Sequence, residues 1–399
     1  MDKAMIRKYL RIASLVVFSM MIGSLITMFI KDDGRVLNNN LIKSKNEKAD
    51  FTSLYEVYDT ILEEYYNDVD EKTLIDGAIN GMLASLDDQH TIYFDEKSKE
   101  EFDTELSGTY YGIGAQIQYV EENTVKIVKI FDGSPAEKSG LQIGDIFVSI
   151  DGKSTDGMDA NDIASKLRSE EATSVKVVMS RNGENIEFDI KKANVTMFSV
   201  NSEMINVDNK KIGYIGVSIF GQKTYDQFKN ALANLENEKM DSLIIDLRGN
   251  SGGYLYTVTN MLELFIPKDK ILYKIQTNMG TTEYKSSSNV NRNYKIVILI
   301  DGDSASASEI MSAAMKEQYS AILVGKTTYG KGTVQTTKNL SNGAMIKYTI
   351  EKWLTPGGNN IDGQGIKPDY DIDQNEQFLQ DGSRENDAQF QKAIEILNK

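Results

Sequence analysis

The sequence predicts a multidomain α/β protein, and three observations lead there. The chain has 399 residues, enough for two or three domains. From Lys211 onward, apolar runs rich in β-branched residues alternate with amphipathic stretches, the pattern of an α/β layer structure. The most continuous of those runs, Val297–Ile300, ends in turn-forming residues directly before a helical stretch, so a buried strand is predicted to feed a helix there.

Composition narrows the chemistry first. Lys and Arg number 44 against 59 Asp and Glu, a net charge of −15, which argues against a nucleic-acid partner. The absence of cysteine excludes disulfides, thiolate catalysis and cysteine-bound zinc. A single histidine, His90, argues against a histidine-based metal site. No metal and no organic cofactor are expected.

Taken in order, the chain opens on a basic segment, residues 1–11, with Lys3, Arg7, Lys8 and Arg11. The next 19 residues, 12–30, carry no charge and are long enough to cross a bilayer. The positive flank places the N-terminus in the cytoplasm and the rest outside. No small-residue cleavage site follows, so an uncleaved, single-pass signal anchor in the cell membrane is expected, with the remainder extracytoplasmic and a cleaved signal peptide as the alternative. Residues 31–49 are polar and read as a tether spanning on the order of 25 Å. Across 50–106, Phe51, Leu54, Tyr58, Ile61 and Tyr65, then Leu74, Ala78, Met82 and Leu86, recur at helical spacing and predict a helical region. His90 falls at its end, where a structural role is expected.

Within residues 107–193, two segments stand out. Gly112-Ile113-Gly114-Ala115 is a short glycine loop before an apolar strand, and G-S-P-A-E-K-S-G-L-Q-I-G-D-I-F-V-S-I-D-G follows from Gly133. Together they resemble a PDZ domain, β-rich with two helices. That resemblance implies strand addition: a peptide C-terminus pairs alongside the strand beginning at Ala115, and the N–H groups of Ile113 to Ala115 meet its carboxylate. Asp159–Arg168 would be the helix on the other side of the groove. Arg168 at its end reads equally as a cation favoured at a helix C-terminus and as a reporter of peptide occupancy.

Residues 194–399 form the expected α/β core. Strands are predicted over Ile212–Ile219, Ser242–Leu247, Val297–Ile300, Ile322–Val324 and Met345–Trp353. Helices are predicted over Gln222–Glu238 and Ala305–Tyr319. Ser306 sits at the junction of strand and helix, where a serine can be presented beside the free N–H groups of the first helical turn. Ser306-Ala-Ser-Glu309 also fits a simple capping box, and the stretch alone leaves both readings open. A serine nucleophile needs a base, and a lysine is an attested one. Lys331, between Gly330 and Gly332, is the candidate, because burial lowers a lysine from about 10.4 toward neutrality. Gln335 lies four residues on, within reach of the amine. Asp371–Glu385 reads as solvated acidic surface. The last helix, with Phe390, Ala393, Ile394 and Leu397 on one face, either docks on the core or joins two protomers in a homodimer.

S-A-S-A-S-E followed by G-K-G-T-V-Q resembles the carboxyl-terminal processing peptidases, or tail-specific proteases. The resemblance extends to L-D-D-Q-H-T-I-Y-F, to R-G-N-S-G-G (Arg248–Gly253) and to G-Q-G-I-K-P-D. It implies a core of the ClpP/crotonase type, with Ser306 as nucleophile, Lys331 as general base and Gln335 orienting the lysine. It also implies an oxyanion hole from the N–H groups of Gly252 and Ala307. The expected partners are protein or peptide substrates with exposed C-termini. A PDZ adaptor with an inactive protease-like domain is the rival reading. A crotonase-type acyl-CoA enzyme is a weaker one, since fold likeness alone says little about chemistry.

Overall fold

The computed structural model describes residues 50–120, 124–168 and 172–399. The expected basic flank, membrane anchor and tether lie outside the described residues. Among those described, no helix is long and apolar enough to cross a membrane. The described residues fall into two compact units, 50–78 and 79 onward.

In the first unit, helix α1 (Thr52–Glu64) is followed by helix α2 (Glu71–Ala84), which runs on into the second unit. The Tyr58 hydroxyl donates to Glu71 at 3.3 Å. The apolar stripe predicted for α1 is present, yet α1 buries none of its residues.

The second unit begins with β1 (Ile92–Phe94) and α3 (Glu96–Ser107), which Asp95 caps by accepting from the Ser98 N–H. A β-rich region follows: β2 (Thr109–Gly112), β3 (Ala115–Val120), β4 (Thr124–Ile130), α4 (Pro135–Ser139), β5 (Ile146–Ile150), β6 (Lys153–Ser154), α5 (Ala160–Arg168), β7 (Ser174–Arg181) and β8 (Glu184–Lys191). Its antiparallel sheet runs β3-β4-β5-β7-β8, with β6 beside β5. Alternation along β7 buries Val175, Val177 and Met179, which pack with Ile113, Ile127, Phe147, Ile163 and Leu167 into a separate small core. Strand β9 (Ala193–Thr196) returns to pair with β2 and closes the region at its entry.

The chain then builds two further sheets. Strands β10 (Val200–Val207) and β11 (Lys210–Val217) form a hairpin, and α6 (Thr224–Asn237) crosses to β12 (Ser242–Asp246). After α7 (Leu255–Leu262) comes the hairpin β13 (Ile271–Thr277) and β14 (Gly280–Lys285), then β15 (Lys295–Ile300), α8 (Ala307–Ala314) and β16 (Ile322–Gly325). The predicted helix 305–319 is thus α-helical only to Ala314 and passes into a π-helical turn, Met315–Tyr319. Strands β17 (Thr333–Asn339) and β18 (Met345–Leu354), the short β19 (Tyr370–Asp371), and helices α9 (Glu376–Asp381) and α10 (Ala388–Asn398) complete the fold. Segment 371–385, expected to be plain solvated surface, therefore carries a helix.

The central sheet has the order β10-β11-β12-β15-β16-β19, parallel from β11 onward. Its middle strands are near-continuous apolar runs because layers cover both faces. One face packs on α6, α7 and α8 through Ile215, Phe228, Leu243, Ile298 and Met311. The other receives Phe390, Ala393, Ile396 and Leu397 of α10, so the C-terminal helix docks on its own core. The third sheet, β1-β18-β13-β14 with β17 on β18, is antiparallel.

The parallel order brings three turns together. Strands β12, β15 and β16 lie side by side, and their carboxyl ends lead into Arg248–Gly253, Ser304–Ser306 and Lys326–Gly332. The crevice outside such strand ends is where open α/β sheets place their sites. Close packing there is strict: at Gly325 (φ +131°) a Cβ would come within 1.9 Å of the Ile300 carbonyl oxygen.

Candidate active site

Ser306 stands on a strained corner. Its φ of 53° and ψ of −111° lie where non-glycine residues seldom go. The Ser-x-x-Glu pairing of a capping box is present, and its carboxylate half is made: the Ser306 N–H donates to Glu309 at 2.8 Å. The hydroxyl makes no helix-cap bond. The Glu309 N–H goes instead to the Ser306 carbonyl oxygen at 2.9 Å. The half-buried side chain faces a cleft of about 520 Å³, lined also by Gly252, Ala307, Lys331, Gln335 and Lys347.

Two buried residues hold the corner. Asn250 ties the glycine-rich turn to it: its amide donates to the Val217 carbonyl at 2.8 Å, and its own carbonyl accepts from the Ala305 N–H at 3.0 Å. The second is Glu309, fully buried on α8. Besides the Ser306 N–H it accepts from the Thr328 hydroxyl at 2.6 Å, the Gly330 N–H at 2.7 Å and the Lys331 N–H at 2.9 Å. One carboxylate therefore fixes the backbone of both Ser306 and Lys331. The sequence shows this glutamate only as a capping residue, because its second set of partners lies about twenty residues away on another loop.

The Lys331 amine is pushed down from its ordinary 10.5 to about 8. Burial is the main cause and the nearby Lys347 ammonium the second, while Asp88 and Glu309 pull the other way. No hydrogen bond joins the Ser306 hydroxyl to this amine among the described residues. The Gln335 amide does not reach the amine either; it donates to the hydroxyls of Thr333 (2.8 Å) and Thr349 (3.2 Å). Gln335 is thus held by its own sheet, beside the lysine and not bonded to it.

The two N–H groups expected to face an oxyanion differ. Ala307 is the first residue of α8, whose first-turn N–H groups lack helical partners. The Gly252 N–H is engaged by Asn250 Oδ1 at 2.9 Å. Gly252 (φ +112°) nonetheless lies against the serine: a Cβ there would meet the Ala305 carbonyl oxygen and Ser306 Cβ, each at 2.9 Å.

His90 comes close to the Lys331 loop, its ring 6.4 Å from that of Tyr329. Burial and the Lys331 charge lower its pKa. The turn it belongs to is a support. Asp88 accepts from the Thr91 hydroxyl at 2.6 Å, and that hydroxyl accepts from the Thr349 N–H at 3.3 Å. Residues 88–91 thereby brace the strand that holds Gln335, a link across some 260 residues that no local pattern announces.

The glycine-rich turn has its own anchor. Arg248 makes paired hydrogen bonds to Asp246 (2.9 and 2.6 Å) and to Asp387 (3.0 and 2.8 Å). Asp387 also caps α10 by accepting from the Phe390 N–H at 2.9 Å.

In the β-rich region, Ile113 and Ala115 line a groove between β3 and α5, together with Tyr110, Ala164, Leu167 and Arg168. Gly112 and Gly114 are buried at its end. The Arg168 guanidinium lies 5.0 Å from the centre of the Tyr110 ring. Burial raises the Tyr110 phenol, while Arg168 and the backbone N–H groups of Gly114 and Ala115 favour its anionic form. The glycine loop thus directs amides at an oxygen, here that of Tyr110.

Comparison with known proteins agrees with this architecture. Residues 211–372 match peptidase family S41, residues 127–181 a PDZ domain, and residues 21–98 the N-terminal domain of the activating protease CtpB. The chain is 35% identical over 364 residues to the carboxy-terminal processing protease CtpA of Bacillus subtilis, covering 91% of this chain and 77% of that protein. With CtpB of the same organism it shares 37% over 338 residues, 84% of this chain and 70% of that one. A solved chain assigned to the S41 proteases of Bacteroides fragilis has a TM-score of 0.54 at 16% identity, covering 86% of this chain and 97% of its own, a likeness of fold. The chain belongs to peptidase family S41: it is a carboxy-terminal processing protease, a serine peptidase with a PDZ domain.

Proposed function

We propose that Ser306 is the nucleophile of this protease and Lys331 its general base. The observation that carries the reading is the pairing, in one cleft, of a serine on a strained corner with a buried amine lowered to about 8. The neutral amine takes the proton as Ser306 Oγ bonds to the scissile carbonyl carbon. It returns that proton to the leaving amine as the C–N bond breaks, and water then cleaves the acyl-enzyme. The oxyanion rests on the Ala307 N–H and, once Asn250 gives up its bond, on that of Gly252. Removing one such donor typically costs a few kcal/mol of transition-state stabilisation. Gln335 orients the amine by exchanging its threonine partners for Lys331.

In this reading the PDZ groove takes the C-terminal tail of an extracytoplasmic protein by strand addition, with its carboxylate at the N–H groups of Ile113 to Ala115. Residues 12–30 anchor the enzyme with its catalytic part outside. A reporter fused after residue 30 should be active only on the outer side, and activity in the cytoplasm would refute the orientation.

Purified protein incubated with a tailed substrate tests the chemistry. Ser306→Ala and Lys331→Ala should each abolish cleavage while leaving the fold intact. Lys331→Arg should be equally inactive, because a guanidinium keeps its proton. Appreciable turnover by the arginine variant would remove Lys331 from the role of base.

A further inference from the structure

The cleft contains a second lysine that the proposed chemistry does not use. Lys347 lies on β18, in register with Ile92 of β1 on one side and Thr337 of β17 on the other. Farther along the same ladder, the β17–β18 register shifts between Val334 and Gln335, and Ile350 joins Lys347 and Gln335 in the lining of the cleft. Its ammonium sits 5.4 Å from the ring centres of both Phe94 and Phe102, and those rings are 5.0 Å apart. Among the described residues no carboxylate lies within ion-pair distance of it.

That choice of neighbours has an electrostatic consequence. A carboxylate in contact with the amine would cancel most of its field across the cleft. Two aromatic faces attract a cation without neutralising it. The half-buried ammonium is also screened less than one on the surface. We infer that Lys347 is a positioning residue for Lys331: held over Phe94 and Phe102, it keeps a like charge before the base and so favours the neutral amine. The inference rests on Lys331 being the base.

The groups around the pair are few. Lys331 is faced by Lys347 from β18, by Asp88 and His90 from the turn before β1, and by Glu309 from α8. Glu309 is spent on four hydrogen bonds, and Asp88 on the Thr91 hydroxyl and the His90 N–H. Lys347 is faced by Phe94 from β1 and by Phe102 and Glu105 from α3. Burial lowers its own pKa, and the exposed Glu105 carboxylate works in the opposite direction. Asp103, also at the cleft, is paired with Lys99 at 2.6 Å.

The test is a titration of the Lys331 amine itself, by the pH dependence of its acylation with a small anhydride, mapped by mass spectrometry. A pH–rate profile runs beside it. In the wild type the amine should titrate near 8. Lys347→Met and Lys347→Gln should move that midpoint upward and carry the rate profile with it. A rise of about one unit would lower the rate at pH 7 roughly tenfold. Lys347→Arg, which keeps the charge and the contact with the rings, should restore the wild-type midpoint. An unmoved midpoint in the methionine and glutamine variants, or an arginine variant that titrates like them, would overturn the inference. A loss of KM or expression without a shift would do the same, since that marks a role in binding or folding. Because the amine is labelled directly, a shift seen without matching change in rate upholds the influence of Lys347 and instead removes Lys331 as the base.

Discussion

At the scale of single residues, the site stores a cost. Lys331 titrates near 8 in the folded protein against 10.5 ordinarily. Below 8 both folded and unfolded chains carry its proton, and the folded state bears the full penalty of holding that charge. As pH rises from 8 to 10.5 the folded amine is already neutral, and the penalty fades. Lys331→Met should therefore raise the melting temperature at pH 7 while abolishing activity. The gain should shrink between about pH 8 and 10.5. A methionine variant less stable than wild type at pH 7 would show that the charge is not strained. Ser306 and Lys331 stood out in the sequence as candidates, because a serine after a strand and a lysine between glycines are local patterns and both fall in motifs that carry the family resemblance. Glu309, Asn250 and Lys347 did not stand out, because the contacts of each are made with residues distant in sequence. Gln335 stood out as a neighbour of Lys331, but its threonine partners depend on the pairing of β17 with β18.

At the scale of elements, the parallel strands were readable from their apolar runs, and their observed bounds lie within about two residues of those expected. The hairpin of β13 and β14 was not expected. All six residues of β14 are exposed, so it has no apolar alternation to reveal it. The turns between elements carry the sharper consequence. Gly252 combines a φ of +112° with contacts that leave no space for a Cβ. Gly252→Ala should push the turn away from Ser306, costing on the order of 1–3 kcal/mol in stability and at least 100-fold in kcat. Denaturant unfolding and steady-state kinetics on one preparation check both. Near-normal kcat in a folded alanine variant would mean that the turn does not need its present approach to the serine.

At the scale of the whole molecule, the sequence suggested a division into regions, because each has its own motif and its own periodicity. It did not reveal how closely the β-rich region is built into the cleft. Helix α3, which leads into that region, lines the cleft of Ser306 and Lys331 with Phe102 and Leu106. The Leu106 carbonyl accepts from the Gln222 N–H at 2.8 Å, and Phe220, two residues earlier, exchanges backbone bonds of 2.8 Å with Gly252 and Tyr254. A continuous path of backbone bonds therefore runs from the entry of the PDZ region to the turn beside Ser306. In the proposed binding mode, peptide in the groove competes with Tyr110 for the amides of Gly114 and Ala115, and Arg168 rests on that same ring. Occupancy that moves Tyr110 moves β2, and β2 follows directly on α3. Such coupling needs the peptide to bind one arrangement of the cleft better than the other; a passive tether would only raise the local concentration of substrate. A free tail peptide separates the two, using a short reporter that cannot reach the groove. Coupling predicts faster reporter cleavage at saturating peptide, and Arg168→Ala should blunt the response without weakening basal cleavage. Tethering predicts an unchanged reporter rate together with competition against tailed substrates, and that result would reduce the path of backbone bonds to a structural seam.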